Sequence, residues 1–186
     1  MNRKPQAALI WTPDLSVHME NLDSQHRSIL QLIDTWWSKL NAGEFNPTRQ
    51  NLSNIFNFLS RFTQQHLELE ERILDILVTQ FDYSGETTNG HKMRHHVFRS
   101  KIMPQLRHDI MLQVQSDGSG SDLLRPIAKW WVSHIKTEDR DYGNVLAALS
   151  AEDRDKLFIQ LVESLLGKPI VTISYKQFAK AIGETA

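Results

Sequence analysis

The chain has 186 residues, which suits one domain with a sizeable core and room for a small appendage. Its 21 basic and 22 acidic residues are interspersed, for a formal net charge of −1, so no basic stripe suits nucleic acid and no polybasic run suits an anionic membrane surface. Cysteine is absent, which excludes thiolate metal sites, iron–sulfur clusters and disulfides.

The N-terminal stretch MNRKPQAALIWTPD holds a five-residue apolar run, Ala7 to Trp11, soon interrupted by Pro13. A secretory core needs roughly 7–15 apolar residues, and no segment approaches the ~18 of a membrane span. The expectation is a soluble, cytoplasmic protein. Residues 1–20 read as an irregular arm with Trp11 as its large apolar anchor. A first helix is predicted from about Asp23 to Leu40, because Ile29, Leu30, Ile33, Trp36, Trp37 and Leu40 recur at helical spacing. Of the two adjacent tryptophans, one is expected in the core and one partly exposed. Asn41-Ala42-Gly43 ends this helix.

Pro47 sits where a first turn tolerates it. A second helix follows to about Thr79, with Leu52, Ile55, Phe56, Leu59, Phe62, His66, Leu69, Ile73 and Leu77 inward. Phe81–Gly90 (FDYSGETTNG) reads as a turn-rich loop. A third helix is predicted from about Asn89–His91 to Gln115, kinked by Pro104, with Ser100 carrying the freed carbonyl. SDGSGSD (116–122) is the clearest linker, and a fourth helix runs from about Ser121 to Leu149, tolerating Pro126 early. Ser150-Ala-Glu-Asp153 resembles a capping box with Asp in its last place, opening a fifth helix to about Leu166. Gly167 and Pro169 stop it; Ile170–Ser174 is strand-like, and Tyr175–Ile182 is a short helical stretch.

Seven donor residues fall on the four main helices: His26; His66 and Glu70; His91 and His95; His134 and Asp139. Residues four apart differ by about 40° and share a helix face, so His66/Glu70 and His91/His95 are paired donors. His134 and Asp139, five apart, stand about 140° apart on an α-helix, too wide to face one ion together. Such a pair suits a histidine that binds one metal and a carboxylate that reaches round to bridge. Apolar neighbours place these groups inside the bundle, where buried polar atoms need metal or fully satisfied partners. Imidazole and carboxylate suit iron, zinc and manganese alike.

The motifs Asp23-x-Gln25-His26, His66-x3-Glu70-Glu71, His91-x3-His95 and Trp130-x3-His134-Ile135-x3-Asp139 resemble the hemerythrin family, its bacterial branch above all, over about Trp11 to Leu149. The resemblance implies an all-α, antiparallel up-down-up-down four-helix bundle with a C-terminal helical extension. It divides the chain into residues 1–149, the bundle with its arm, and residues 150–186, the extension. It also implies a non-haem di-iron centre with a bridging oxo or hydroxo group. One iron would take His91, His95 and His134, the other His26 and His66, with Glu70 and Asp139 bridging. Five imidazoles, two bridging carboxylates and one bridging oxygen leave a pair of six-coordinate irons with one open position, on the iron with two histidines. O2 is the implied ligand there. No catalytic residue is assigned, and the implied function is reversible O2 binding for storage, delivery or sensing.

Trp130, Trp131 and Ile135 are the candidate lining of the O2 pocket. Many family members have Leu where this chain has Trp131, which either lines the pocket or fills core. His18, His96 and His108 read as solvated histidines, His96 alternatively as a neighbour of the site. Glu71 and Asp75 read as solvated charges, Glu71 alternatively as an acceptor that orients a histidine. Two other functions compete: a di-iron enzyme acting on NO or peroxide, and a sensor module signalling to a separate partner. Residues 150–186 either fold back over the bundle or offer a surface for a homo-oligomer or protein partner, with Ile170–Ser174 able to pair with a second copy.

Overall fold

The periodic apolar faces found in the sequence assemble into an antiparallel four-helix bundle, shown here by a computed structural model that describes residues 10–42, 48–113 and 121–165. The main helical elements are α1 (Glu20–Ala42), α2 (Arg49–Gln80), α3 (Gly85–Val97), α4 (Met103–Gln113), α5 (Ser121–His134), α6 (Arg140–Ala148) and α7 (Ala151–Leu165). A π-turn, Phe98–Ile102, joins α3 to α4, and another, Ile135–Asp139, joins α5 to α6. The bundle's four rods are therefore α1, α2, α3–α4 and α5–α6, with α1 closest to α5, α2 beside α3 and α4, and α4 beside α5. No strand occurs among the described residues.

The first rod starts earlier than the sequence pattern suggests, because Asp23 is already inside a helical turn: its N–H donates to the Met19 carbonyl. The Asp23 side chain, only 4% exposed, holds the arm. Ser16 Oγ donates to Asp23 Oδ2 at 2.6 Å and the Val17 N–H to Oδ1 at 2.8 Å. A carboxylate in a first turn also meets the positive end of the helix dipole. Trp11 anchors the arm as expected, half-buried against the core, with the Arg27 guanidinium 4.3 Å from its ring. Trp36 is buried and Trp37 half-buried.

Thr48 caps α2 by accepting the Asn51 N–H at 3.2 Å; Pro47 lies outside the described residues. The Phe81–Gly90 loop is shorter than expected. Ser84 accepts the Thr87 N–H at 3.2 Å and caps α3, so Gly85–Gly90 are helical and His91 is more than a turn inside. The side-chain cap outweighs the helix-weakening glycines. Pro104 produces the expected disturbance as a π-turn just before it, in which the Met103 N–H reaches the Phe98 carbonyl. The wider turn makes room for the proline ring at the Ser100 carbonyl.

Pro126 sits in α5 without ending it. Ser150 opens α7 as the capping box predicts: Ser150 Oγ accepts the Asp153 N–H at 3.1 Å and donates to Asp153 Oδ2 at 2.8 Å. α7 lies along α2, burying Leu157 and Leu161, and Arg72 Nη1 donates to the Ser164 carbonyl at 2.9 Å. Ile170–Ser174, Tyr175–Ile182 and most of the SDGSGSD linker lie outside the described residues.

The core has two parts. One joins Ile29, Leu30, Ile33 and Trp36 of α1 to Leu52–Leu67 of α2 and Leu124–Trp131 of α5. The other joins Leu22 of α1 to Ile73, Leu74 and Leu77 of α2, Tyr142 and Leu146 of α6, and α7. His26 lies between the two sets on α1, His66–Glu70 between them on α2, and His134–Asp139 between them on α5–α6. The donors thus form a polar layer across the bundle. Each fully buried Leu or Ile on either side contributes about 1.5–3 kcal/mol of transfer free energy, which offsets the cost of burying that layer. Among the described residues no helix is long and apolar enough to cross a membrane.

Candidate metal centre

All seven donors are buried, none more than 2% exposed. They form two groups sharing Glu70: Glu70, His91, His95 and His134; and His26, His66, Glu70 and Asp139. In the first, His134 Nε2 lies 3.0 Å from His95 Nε2 and 3.3 Å from His91 Nε2. In the second, His26 Nε2 lies 3.1 Å from His66 Nε2. The carboxylates span the groups. Glu70 puts Oε1 3.2 Å from His66 and Oε2 3.4 Å from His95. Asp139 puts Oδ2 3.4 Å from His26 and Oδ1 3.2 Å from His134 and 3.4 Å from His91.

Asp139 reaches this place because Ile135–Asp139 is a π-turn. A π-turn closes with an i→i+5 hydrogen bond, so a residue five positions on returns nearly to the same face. The angle of about 140° expected for His134 and Asp139 holds only for an α-helix. The structure corrects it: both side chains enter the cluster side by side.

Several nitrogens have their proton spoken for. His66 Nδ1 lies 2.7 Å from Gln25 Oε1, and His95 Nδ1 lies 3.0 Å from Glu71 Oε1. Each Nδ1–H donates outward, so in the neutral ring Nε2 carries a lone pair pointing inward. Glu71 is therefore the orienting acceptor rather than a solvated charge, and it also accepts from Arg99 Nη2. Glu138 Oε2 lies 3.3 Å from His134 Nδ1, and Glu138 Oε1 2.8 Å from Arg94 Nε. Tyr142, which the sequence motifs do not include, donates its hydroxyl to Glu70 Oε1 at 2.7 Å. A tyrosine three residues beyond Asp139 was the available signal, but its partner lies on another helix.

Electrostatics express the same crowding. Burial disfavours charge on His26 and His134, yet Asp139 and Glu70 beside them overcome it, raising His26 to about 9 and His134 to about 10. Burial prevails at His91, which falls to about 4, and at His66, which is also lowered. Glu70 is held well below its usual range: burial opposes this, but the facing imidazoles win. Glu138 falls to about 2, burial again being outweighed by His134, Thr137 and Arg94.

These residues fit metal. Glu70 Oε2 and both Asp139 oxygens have no hydrogen-bond donor, and the inward Nε2 atoms crowd together, His26 on His66 and His134 on His91 and His95, at 3.0–3.3 Å. Two buried carboxylates compensated only by protonated imidazoles are costly; cations would satisfy oxygens and nitrogens together. An ion about 2.1 Å from two nitrogens at a right angle would space them about 3.0 Å, close to the separations seen here.

The aromatic candidates divide between the two groups. Trp130 stacks on His134, with centroids 4.4 Å apart and planes at 14°, and on Phe98 at 3.6 Å. Trp131 is completely buried and lies 5.0 Å from His66 and 6.3 Å from His26 between centroids. Ile135, also buried, begins the π-turn. Hollows of about 410 Å³ and 320 Å³ reach the three-histidine side, the first lined in part by His91, Arg94, Glu138 and Asp141, the second by Trp130, His134 and Val97. His18, His96 and His108 are exposed and outside both groups, and Asp75 pairs at the surface with Lys92.

Comparison with known proteins agrees with the chemistry. The family model described as the Hemerythrin HHE cation binding domain matches residues 17–146. A bacteriohemerythrin of Stenotrophomonas maltophilia (strain R551-3) is 24% identical over 143 residues, 76% of this chain and 84% of that protein. Bacteriohemerythrins of Pseudomonas paraeruginosa and Pseudomonas aeruginosa are 23% identical over 136 residues, 73% of this chain and 80% of each. No solved structure matches the chain. With its bundle, its buried donor layer and a family match spanning most of its length, the chain belongs to the hemerythrin family of HHE cation-binding domains.

Proposed function

We propose that the chain binds O2 reversibly at a non-haem di-iron centre, for storage, delivery or sensing. The observation that carries this reading is the double reach of the carboxylates: Glu70 and Asp139 each turn one oxygen toward the three-histidine group and the other toward the two-histidine group. That is an arrangement for two ions side by side, bridged. His91, His95 and His134 would hold one iron, His26 and His66 the other. A ferrous pair held by these residues would supply electrons for reversible O2 binding.

The remaining work falls to the protein's own groups. Gln25 and Glu71 fix the tautomers of His66 and His95, keeping their Nε2 lone pairs inward. Tyr142 fixes the rotamer of Glu70. Phe62, packed on His66 at 6.1 Å, and Trp131 keep bulk water from the two-histidine side, as reversible binding of a redox-active gas requires. In this reading the centre belongs to residues 1–149, and residues 150–186 form an extension whose first helix, α7, rests on α2.

Anaerobic iron loading followed by repeated cycles of oxygen and argon tests the proposal. Two irons per chain and a visible absorption band that comes and goes over many cycles support it. Irreversible oxidation on the first exposure, with rapid turnover of NO or peroxide, would overturn it in favour of a di-iron enzyme.

A further inference from the structure

One polar group beside the cluster has no use within the protein. Trp131 is 0% exposed, and no side chain or carbonyl accepts its indole N–H. Buried N–H donors almost always find an acceptor, so an orphan in a packed core calls for an explanation. The ring is held by His66 at 5.0 Å, Phe62 at 6.2 Å and His26 at 6.3 Å. Those imidazoles belong to the group that supplies two nitrogens, against three in the other. A leucine or phenylalanine would fill the same space without stranding a donor.

Trp11 also has an unpartnered indole N–H, but its ring lies under Arg27 at the half-buried arm, away from the donors. Trp130 stacks face-on over His134 of the three-histidine group and meets Trp131 edge-on at 5.4 Å. Trp131 alone among the tryptophans combines an unpartnered N–H with contact to His26 and His66.

We propose that the Trp131 indole N–H, buried without a partner against His26 and His66, is the hydrogen-bond donor to the small ligand taken up at the two-histidine position. The inference rests on the proposed function and deepens it. The ring restricts the ligand to a few atoms, and the N–H selects ligands with an accepting atom, slowing their escape. An azide ion, compact and anionic, is the probe that reports both properties.

The full-length, iron-loaded protein is titrated with azide by optical absorbance, alongside Trp131→Phe, which keeps a ring but removes the donor. Ultraviolet resonance Raman follows the tryptophan band that reports indole N–H hydrogen bonding, before and after azide. The Trp131→Phe spectrum, subtracted, isolates the Trp131 contribution. The expected results are a band shift on azide addition that is missing from the variant, and a loss of azide affinity of about tenfold or more. An unmoved Trp131 band in a protein that binds azide overturns the inference while leaving the proposed function standing. Equal azide affinity in the variant does the same. Should Trp131→Phe fail to load two irons, Trp131→Leu, which also lacks the donor, replaces it in both measurements. A parent that loads two irons but binds neither oxygen nor azide overturns both.

Discussion

The two halves of the donor layer are built from the same residue types but surrounded differently. Behind the three-histidine half stand charges: Glu71 with Arg99 behind His95, and Glu138 with Arg94 behind His134, both within reach of the surface. Behind the two-histidine half stand a neutral amide, Gln25, and two aromatic rings, Phe62 and Trp131. A carboxylate behind an imidazole makes it a stronger donor than an amide does. Under the proposed function the lesson is a division of labour: one half would grip its ion, and the other would stay dry and electronically mild for an incoming molecule.

The largest effect that could break this comparison is at His66. His66→Ala should lower the iron content from two per chain toward one and abolish the oxygen-dependent band. A variant that loads two irons and cycles oxygen normally would show that the halves are wrongly drawn. Next comes pH. His26 and His134 hold protons up to about 9 and about 10, and His95 is raised as well, so incoming ions must displace these protons. Metal affinity should therefore rise with pH, about tenfold per unit for each proton displaced, and level off above those values. Competition with a chromogenic chelator between pH 6 and 8, with proton release read in weak buffer, checks the sign; a flat profile would contradict it.

Smaller changes sharpen the contrast. A Cβ on Gly143 would meet the Val17 Cα at 3.0 Å, so Gly143→Ala should displace the arm and cost about 1–3 kcal/mol, seen as a lower thermal midpoint. Glu71→Gln should weaken the first ion's binding about tenfold by zinc competition and leave the two-histidine half unaffected. Equal weakening of both would show that the charges do not act on one half alone. Ser150→Ala, which removes the cap of α7, should cost about 1 kcal/mol with metal content unchanged.

How much of this could be read from the chain alone depended on whether the geometry was local. The i,i+4 pairs His66/Glu70 and His91/His95 were legible because a single helix face defines them. Asp139 is legible as a donor, but its angle to His134 is not, because an α-helical period gives about 140° and the π-turn changes that period. Glu71 reads either as a solvated charge or as an acceptor for a histidine, and sequence alone does not choose because its partner, His95, lies on another rod. Tyr142 was invisible for the same reason: it meets Glu70 only when α6 packs on α2. The start of α3 was obscured by two glycines, although Ser84 and Thr87 held the cap within four residues.

The π-turn at Ile135–Asp139 has a consequence for the fourth rod as a whole. One extra residue in an unbroken α-helix would advance the phase of everything after it by about 100°; the wider π-turn absorbs that residue. Before the turn, Leu124, Ile127 and Trp131 address one apolar cluster; after it, Tyr142 and Leu146 address the other. Straightening the turn into an α-helix with every residue kept would swing Asp139, Tyr142 and Leu146 together off their targets, whereas deleting one residue such as Thr137 would restore an ordinary helix with His134 and Asp139 four apart on one face. The π-turn is a vernier, setting the Asp139 carboxylate and the lower core with one adjustment.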